Sequence, residues 1–304
     1  YSPSGSFKEF PVAGRVLDRR AFDRHLAHRA AIAGARVLPA TRARLAEGQL
    51  QLSGRFGGPA RPKVIIGADG PHSSVSRAMG NPVQETGICL EYEMVDVDID
   101  PHAAEMYFSA RYAPGGYAWI IPLGRDSANV GVGVRASYLS GQRLPQILDR
   151  FIAEHPLGRE KLAGGEAVAV MRGAVPAGGR PPAIMKDNLL LAGDAAGQVM
   201  ATSGGGIPLA IVGGRIVGLA AAGYLRGEAR LEDYPSCISR EFGIQLARSV
   251  QIRKMVDLAM KSDRLMNSLF SALSPAQMKS VMRAQIPEIF LSRAWTGEER
   301  GQQS

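Results

Sequence analysis

The sequence has little of what would mark a covalently stapled or metal-held protein. It carries two cysteines, Cys89 and Cys237, and no Cys-x-x-Cys pair, which excludes a disulfide framework or a structural zinc site as its organising device. A reducing, cytoplasmic setting is therefore expected. His25, His28, His72, His102 and His155 fall at no metal-ligand spacing, and Ser73 and Ser74 have no evident base, so metalloenzyme and hydrolase readings lack support. No signal peptide and no internal repeat can be recognised. The most apolar stretch, 207–225, is broken by Gly213, Gly214, Arg215 and Gly218, which reads as a buried helix of a folded domain rather than a membrane span. The chain opens on Tyr1-Ser-Pro-Ser-Gly5 rather than on Met, so residue 1 is expected to be a fragment boundary.

What is present belongs to a globular chain. The 304 residues are 45% hydrophobic and 21% charged, enough for a sizeable core and two domains. The net charge of +8 favours anionic partners such as phosphate-bearing cofactors, a nucleic acid or an acidic membrane surface, without choosing among them. That choice rests on local motifs, and on those nucleic acid is not expected as a partner.

After an extended lead over 7–16, Asp18 is placed to cap a helix whose apolar face is Phe22, Leu26, Ala30 and Ala33, with Gly34 as its stop. Strand pieces are expected at 35–38, 43–45 and 49–52, the last two joined by a Glu47-Gly48 turn. A buried strand over 63–68 runs into Asp69-Gly70 and a short helix capped by Ser73 or Ser74. From 88–99, 105–112, 117–122 and 128–134 the pattern becomes longer strands with short connections, which predicts an antiparallel sheet. A helix over 144–155 and a strand over 166–175 complete that unit. The buried-strand pattern returns at 188–192, followed by Gly193-Asp194, the glycine run Gly204 to Gly206 and the helix over 207–225. Residues beyond Asp233 read as helices, and the tail 297–304 as frayed.

Two segments carry chemistry. In Asn188-Leu-Leu-Leu-Ala-Gly-Asp194-Ala-Ala-Gly197 an apolar strand delivers a carboxylate at its C-terminal end, where open α/β sheets bind ligands. Asp194 can accept a ribityl hydroxyl, and the glycine run with the following helix N-terminus can approach the electron-rich side of a flat ring. The plain alternative is an Asp cap and a glycine hinge. In Val64-Ile-Ile-Gly67-Ala-Asp69-Gly70-Pro-His-Ser-Ser-Val75-Ser-Arg77 the turn and capped helix could set Asp69 beside a pyrophosphate; the alternative is an ordinary Asp-Gly turn.

Together these segments resemble the two downstream fingerprints of FAD-dependent reductases and hydroxylases with the glutathione-reductase-like, p-hydroxybenzoate-hydroxylase type of fold. Three stretches narrow the likeness: Arg15-Val-Leu-Asp-Arg19-Arg-Ala-Phe-Asp23, Ala113-Pro-Gly-Gly-Tyr117-Ala-Trp119-Ile-Ile-Pro122, and Asn129-Val-Gly131-Val-Gly133. These are similar to the geranylgeranyl reductase family, which includes the archaeal digeranylgeranylglycerophospholipid reductases, and the likeness runs over roughly 8–225. It implies bound FAD and saturation of isoprenoid double bonds by the reduced flavin. The fold it implies is α/β: an FAD-binding domain from 1–85 and 181–228, an inserted antiparallel-sheet substrate domain over 86–180, and a helical C-terminal region over 229–304.

Carried over residue by residue, the resemblance places Arg19 near the cofactor phosphates, with Arg20 the alternative by one position, and Ala43 against the adenine end through its main chain. Asp69, Asp194, Gly205, Gly206 and Ile207 complete the expected cofactor set. Tyr117 and Trp119, two apart on a strand and so on one face, would border the cavity for a polyprenyl chain, although spacing alone equally allows two core aromatics. Ile121 stands where the family has an aromatic residue, and Gln198 to Ser203 departs from its typical acidic and proline-containing stretch. The glycine-rich first dinucleotide turn is not in the sequence, so the chain as written is expected to hold FAD poorly. The family's cysteine-bearing loop belongs to that same front, which leaves Cys89 and Cys237 as small buried residues. An external donor, ferredoxin or NAD(P)H, is implied. Arg240, Arg248, Arg253, Lys254, Lys261 and Arg264 could meet anionic lipid headgroups, or simply form a solvated face. The rival readings are a flavin-dependent aromatic hydroxylase or halogenase, and a non-catalytic lipid-binding protein built on the same fold.

Overall fold

The computed structural model describes residues 1–46 and 49–285. The lead forms no regular element. The Tyr1 ring stacks on Tyr107 at 4.8 Å and its carbonyl accepts the Phe108 N–H, so the front of the chain docks on the sheet domain, while the Ser2 N–H bonds the Ser6 carbonyl within a local turn. Helix α1 (Arg19–Ile32) begins where expected, with the Asp18 carboxylate accepting the Ala21 N–H at 2.9 Å. It ends at Gly34, whose φ of 94° lets the Ala35 N–H reach the Ala30 carbonyl. Its apolar stripe enters no core among the described residues: Phe22 is half-buried and no residue of α1 is fully buried. The strand expected over 35–38 does not form, because Pro39 and Ala40, the latter at φ 53°, turn the chain directly into β1 (Thr41–Ala46).

Strands β1, β2 (Gln49–Gly54) and β3 (Gly58–Ala60) make an antiparallel sheet in that order; the expected Glu47-Gly48 turn lies outside the described residues. Strand β4 (Ile65–Gly67) leads into α2 (Ser74–Ala78), capped by the Ser73 hydroxyl, which accepts the Ser76 N–H. Leu45 of β1 shares a core with Val75 and Met79 of the α2 segment.

The middle of the chain builds one five-stranded antiparallel sheet from β5 (Thr86–Val95), β6 (Glu105–Tyr107), β7 (Tyr117–Pro122) and β8 (Ser127–Arg135). After helices α3 (Leu144–Glu154) and α4 (Pro156–Leu162), β9 (Glu166–Pro176) completes it in the order β6-β7-β8-β5-β9. The strand expected over 105–112 stops at Tyr107, since the chain turns at once and the Ala113 N–H closes on the Ser109 carbonyl. Helix α4 is an addition to the expected elements: His155 ends α3 and its Nδ1 accepts the Gly158 N–H, with Pro156 at the first helical position. The alternation of strand side chains sends Leu90, Ile120, Val130 and Val132 onto Ile147, Leu148 and Phe151 of α3, all nearly fully buried. Cys89, Glu91, Tyr117, Trp119, Gly131 and Gly133 take the opposite face.

The return is made by β10 (Met185–Lys186) and β11 (Leu189–Leu191), and β11 pairs parallel with β4. Helix α5 (Ile207–Leu225) comes next, then α6 (Tyr234–Ile238), a π-helical turn, α7 (Ile244–Ala259), α8 (Asp263–Ala272) and α9 (Pro275–Met282). Tyr234, Ile238, Leu246, Ile252 and Phe270 join Leu190, Leu191 and Val217 in one core, so the helical C-terminal region packs against β11 and α5. Two expectations need correction. Helix α5 buries only one stripe, with Gly213, Val217 and Ala221, and leaves Leu219 62% and Leu225 53% exposed. Arg253 does not lie on a solvated face. Its guanidinium is buried and donates to Glu85 at 3.0 Å, beside Arg135, which donates to Asp257 at 2.5 Å. The tail 297–304 lies outside the described residues. The chain enters and leaves the five-stranded sheet at one point: Thr86 pairs with Pro176, and the Glu85 carbonyl accepts the N–H groups of Ala177 and Gly178.

Candidate active site

The two fingerprint turns lie side by side because β4 and β11 are neighbours in parallel register, Gly67 opposite Leu191. Both carboxylates therefore sit just past the C-terminal ends of paired strands, the ligand-binding edge of such sheets. Their surroundings differ. Asp69 Oδ2 accepts from the Ser74 N–H at 2.8 Å and the Ser74 hydroxyl at 3.0 Å. Burial alone would raise this carboxyl, but the hydrogen bonds from Ser73 and Ser74 outweigh it and hold it below the ordinary carboxylate range. Asp69 thus closes the turn and braces the N-terminus of α2.

The Asp194 carboxylate has no hydrogen-bond partner among the described residues. Burial raises its pKa, and the nearby Arg19 guanidinium offsets part of that. Its turn is fixed through main chain instead. Gln84 Nε2 donates to the carbonyls of Asp194 and Ala195, and Gln198 Oε1 accepts the Gly193 N–H at 2.8 Å. Gly197 sits at φ 64° with its Cα against the Gly179 carbonyl, where a Cβ would fall 2.3 Å from the oxygen. At Gly206 a Cβ would lie 3.0 Å from Val199 and 3.5 Å from Asp194 Oδ1, so this glycine keeps open the space in front of the carboxylate. Gly206 is also the cap of α5 and offers no side chain, which leaves the Ile207 and Leu209 N–H groups of the first turn free to meet a ligand. An unpaired carboxylate, a glycine cradle and an uncapped helix N-terminus fit the ribityl and ring portions of a flavin.

The opposite wall is the face of the five-stranded sheet turned away from α3. Across β7, β8 and β5 the ladder sets Tyr117, Gly133 and Cys89 in one row and Trp119, Gly131 and Glu91 in the next. The Trp119 ring lies flat on the glycines: a Cβ at Gly131 would fall 2.3 Å from the indole, and one at Gly133 3.4 Å. Its Nε1–H donates to Asn129 Oδ1 at 2.6 Å. The Tyr117 hydroxyl donates to the Ser203 carbonyl at 2.5 Å and faces Gly204. Burial pushes the Tyr117 phenol well up and the Cys89 thiol up to about 11, so neither gives a proton readily near neutrality.

The structure thus brings Asp194, Gly205, Gly206 and Ile207 together with Tyr117 and Trp119. Arg19 is exposed and paired with Asp23 at 2.9 Å, yet its charge reaches both Asp194 and Glu91. Ala43 lies apart, exposed on β1 opposite Leu52 in the separate three-stranded sheet. Three contributors escape the sequence pattern: Gln84, which anchors the Asp194 turn, and Glu91 and Cys89, which share the aromatic face. The strand alternation around Tyr117 reveals the last two only with the β5 register in hand.

Residues 85–175, nearly the whole sheet domain, match the model of the geranylgeranyl reductase catalytic domain. The digeranylgeranylglycerophospholipid reductase 2 of Methanopyrus kandleri is 35% identical over 94% of this chain and 75% of its own length. The chain belongs to the digeranylgeranylglycerophospholipid reductase family. A further member of that reductase family, from Methanocella arvoryzae, is 32% identical over 96% of the chain and 78% of its own length. Among solved structures, a geranylgeranyl bacteriochlorophyll reductase-like protein of Thermoplasma acidophilum superposes with a TM-score of 0.78 at 28% identity, covering 93% of this chain and 77% of the other. A flavin-dependent brominase shares the fold alone, at 17% identity and a TM-score of 0.61 over 90% of this chain and 76% of its own. The reductase family thus accounts for the antiparallel insert, and FAD is its cofactor.

Proposed function

We propose that the protein is an FAD-dependent reductase that saturates geranylgeranyl double bonds of a lipid, with its site between the segment from Asp194 to Ile207 and the sheet face of Tyr117 and Trp119. The observation that carries this reading is the Tyr117 hydrogen bond to the Ser203 carbonyl, which sets an apolar aromatic face directly against the glycine run of the cofactor segment. Reduced flavin, when bound, supplies the hydride that alkene saturation requires. Asp194 accepts a ribityl hydroxyl, the glycines at 204–206 admit the ring, and the positive end of α5 favours its electron-rich edge. Arg19 serves the cofactor phosphates, Asp69 acts by holding its turn in shape, and Ala43 contributes main chain at the adenine end. Trp119 and Tyr117 offer the isoprenoid an apolar wall that excludes water and needs no polar match.

Electrons come from an external donor, ferredoxin or a nicotinamide. We place the protein in the cytoplasm, peripheral on an anionic membrane. Exposed Arg248, Lys254, Lys261 and Arg264 interleave along α7, α8 and the turn between them with exposed Ile244, Leu258 and Leu265, a mixture suited to lipid headgroups and the acyl boundary. The test is to express the protein from its complete reading frame, desalt it and record its visible spectrum. The reduced protein is then given a geranylgeranyl phospholipid under nitrogen. Flavin bands and a product heavier by two hydrogens per double bond are expected. A colourless protein that takes up no FAD, or one that acts only by consuming oxygen, overturns the reading in favour of the lipid-binding or the hydroxylase alternative respectively.

A further inference from the structure

Saturating an alkene adds two hydrogens of different origin, a hydride and a proton, and the cofactor accounts for the first. The second needs an acid on the wall that the alkene touches. Around that wall the choices are few. The Tyr117 hydroxyl is committed to the Ser203 carbonyl, and the Cys89 thiol holds its proton up to about pH 11. The Trp119 N–H is bound to Asn129. Asp194 belongs to the cofactor side. Two carboxylic acids remain on that face, and of these Glu93 lies one row further out, opposite Asn129 and Ile121, whereas Glu91 stands opposite Gly131 in the same row as Trp119, where a Cβ on Gly131 would come within 2.9 Å of Glu91 Cβ and 2.3 Å of the indole. The missing side chain at Gly131 therefore lets the Glu91 stem and the indole edge lie side by side.

We propose that the Glu91 carboxyl, set beside the Trp119 platform by the bare Gly131, is the acid that protonates the substrate alkene. The inference rests on the flavin-dependent reductase reading above. In the step, one alkene carbon receives the hydride carried by the reduced cofactor, and the π electrons form a C–H bond to the Glu91 proton at the other carbon. The carboxylate that remains is reprotonated from water. Burial raises the Glu91 carboxyl above the ordinary carboxylate range, against the opposing pull of the Asn129 amide and of Arg19, which suits a group that must hold its proton until the alkene arrives. Arg19, Cys89 and, two residues along on the same strand face, Glu93 are the ionisable groups around it; on β8 and β9 its ladder partners, Gly131 and Met171, are uncharged.

Two readouts test this on the protein from its complete reading frame. In the cofactor-free protein, an infrared pH titration should show a protonated-carboxyl band that outlasts those of the ordinary carboxylates and is missing in Glu91→Gln. In the FAD-loaded, dithionite-reduced protein under nitrogen, Glu91→Gln should retain the flavin spectrum but reoxidise with the geranylgeranyl phospholipid about 10²- to 10⁴-fold more slowly. Glu91→Asp should recover part of the loss. Coincident infrared titrations of wild type and Glu91→Gln, or reoxidation of the variant at a rate close to that of wild type, overturns the proposal while leaving the reductase intact. A wild-type protein that binds FAD but is never reoxidised by the lipid overturns both.

Discussion

Asp69 and Asp194 end two adjacent parallel strands, each comes after a short apolar run, and each has a glycine beside it, yet they do opposite work. Asp69 is saturated by Ser74 and has a lowered pKa; Asp194 is unpartnered among the described residues and has a raised one. The difference comes from the segment just downstream of each residue. After Asp69 the chain turns within five residues into a short helix whose serines point back at the carboxylate. After Asp194 the chain wanders through Gly197 and a glycine run before α5 starts, and no described side chain returns to it. A carboxylate at a strand end is a brace when its own turn supplies donors and a binding group when it does not.

Substitutions at and around the two carboxylates put that contrast to the test. The largest effect is expected from Gly206→Val, whose side chain would occupy the space between Val199 and Asp194 Oδ1; FAD affinity should fall by more than about 100-fold, read by flavin fluorescence on titration, with the fold retained by circular dichroism. Asp194→Asn should weaken FAD by about 10- to 100-fold, the worth of one hydrogen bond to a charged group. The same variant should leave the apoprotein's melting temperature unchanged or higher at neutral pH. The folded-state pKa of Asp194 is raised, so its ionised form opposes folding above its unfolded pKa of about 3.9, and that cost disappears on acidification. Asp69→Ala runs the other way, with stability falling by about 1 kcal/mol at neutral pH. Because its folded pKa is lowered, the contribution is present above the unfolded value of about 3.9 and is lost as pH drops through the folded one. Wild type and variant should therefore converge in urea midpoints only in strong acid. The smallest effect is expected from Gln84→Ala, which frees the carbonyls of Asp194 and Ala195; FAD affinity should drop by about fivefold, or about 1 kcal/mol.

Much of this is readable from the residues, and the exceptions have physical reasons. Asp18, Ser73 and Gly34 announce their helix ends because caps are local chemistry. The sheet strands are legible because alternation records a buried face, and β7 forms over Tyr117–Pro122 as expected. The burial of α5 is not legible, because a run of small and apolar residues looks the same whether one face or all of it is covered. Arg253 looks solvated in the sequence because helical spacing shows nothing of the carboxylates of Glu85 and Asp257, one of them far off along the chain. Glu91 stays hidden because its neighbours in the site sit on β7 and β8, and register between strands is not written in either strand alone.

The abutting ends of the sheet domain also bear on how such proteins diversify. A unit whose first and last strands are paired at Thr86 and Pro176, with the Glu85 carbonyl holding both ends, is inserted into its host as a loop of nearly zero span. Evolution can exchange such a module as a cassette, altering which molecule is offered to the cofactor without disturbing the scaffold that carries it.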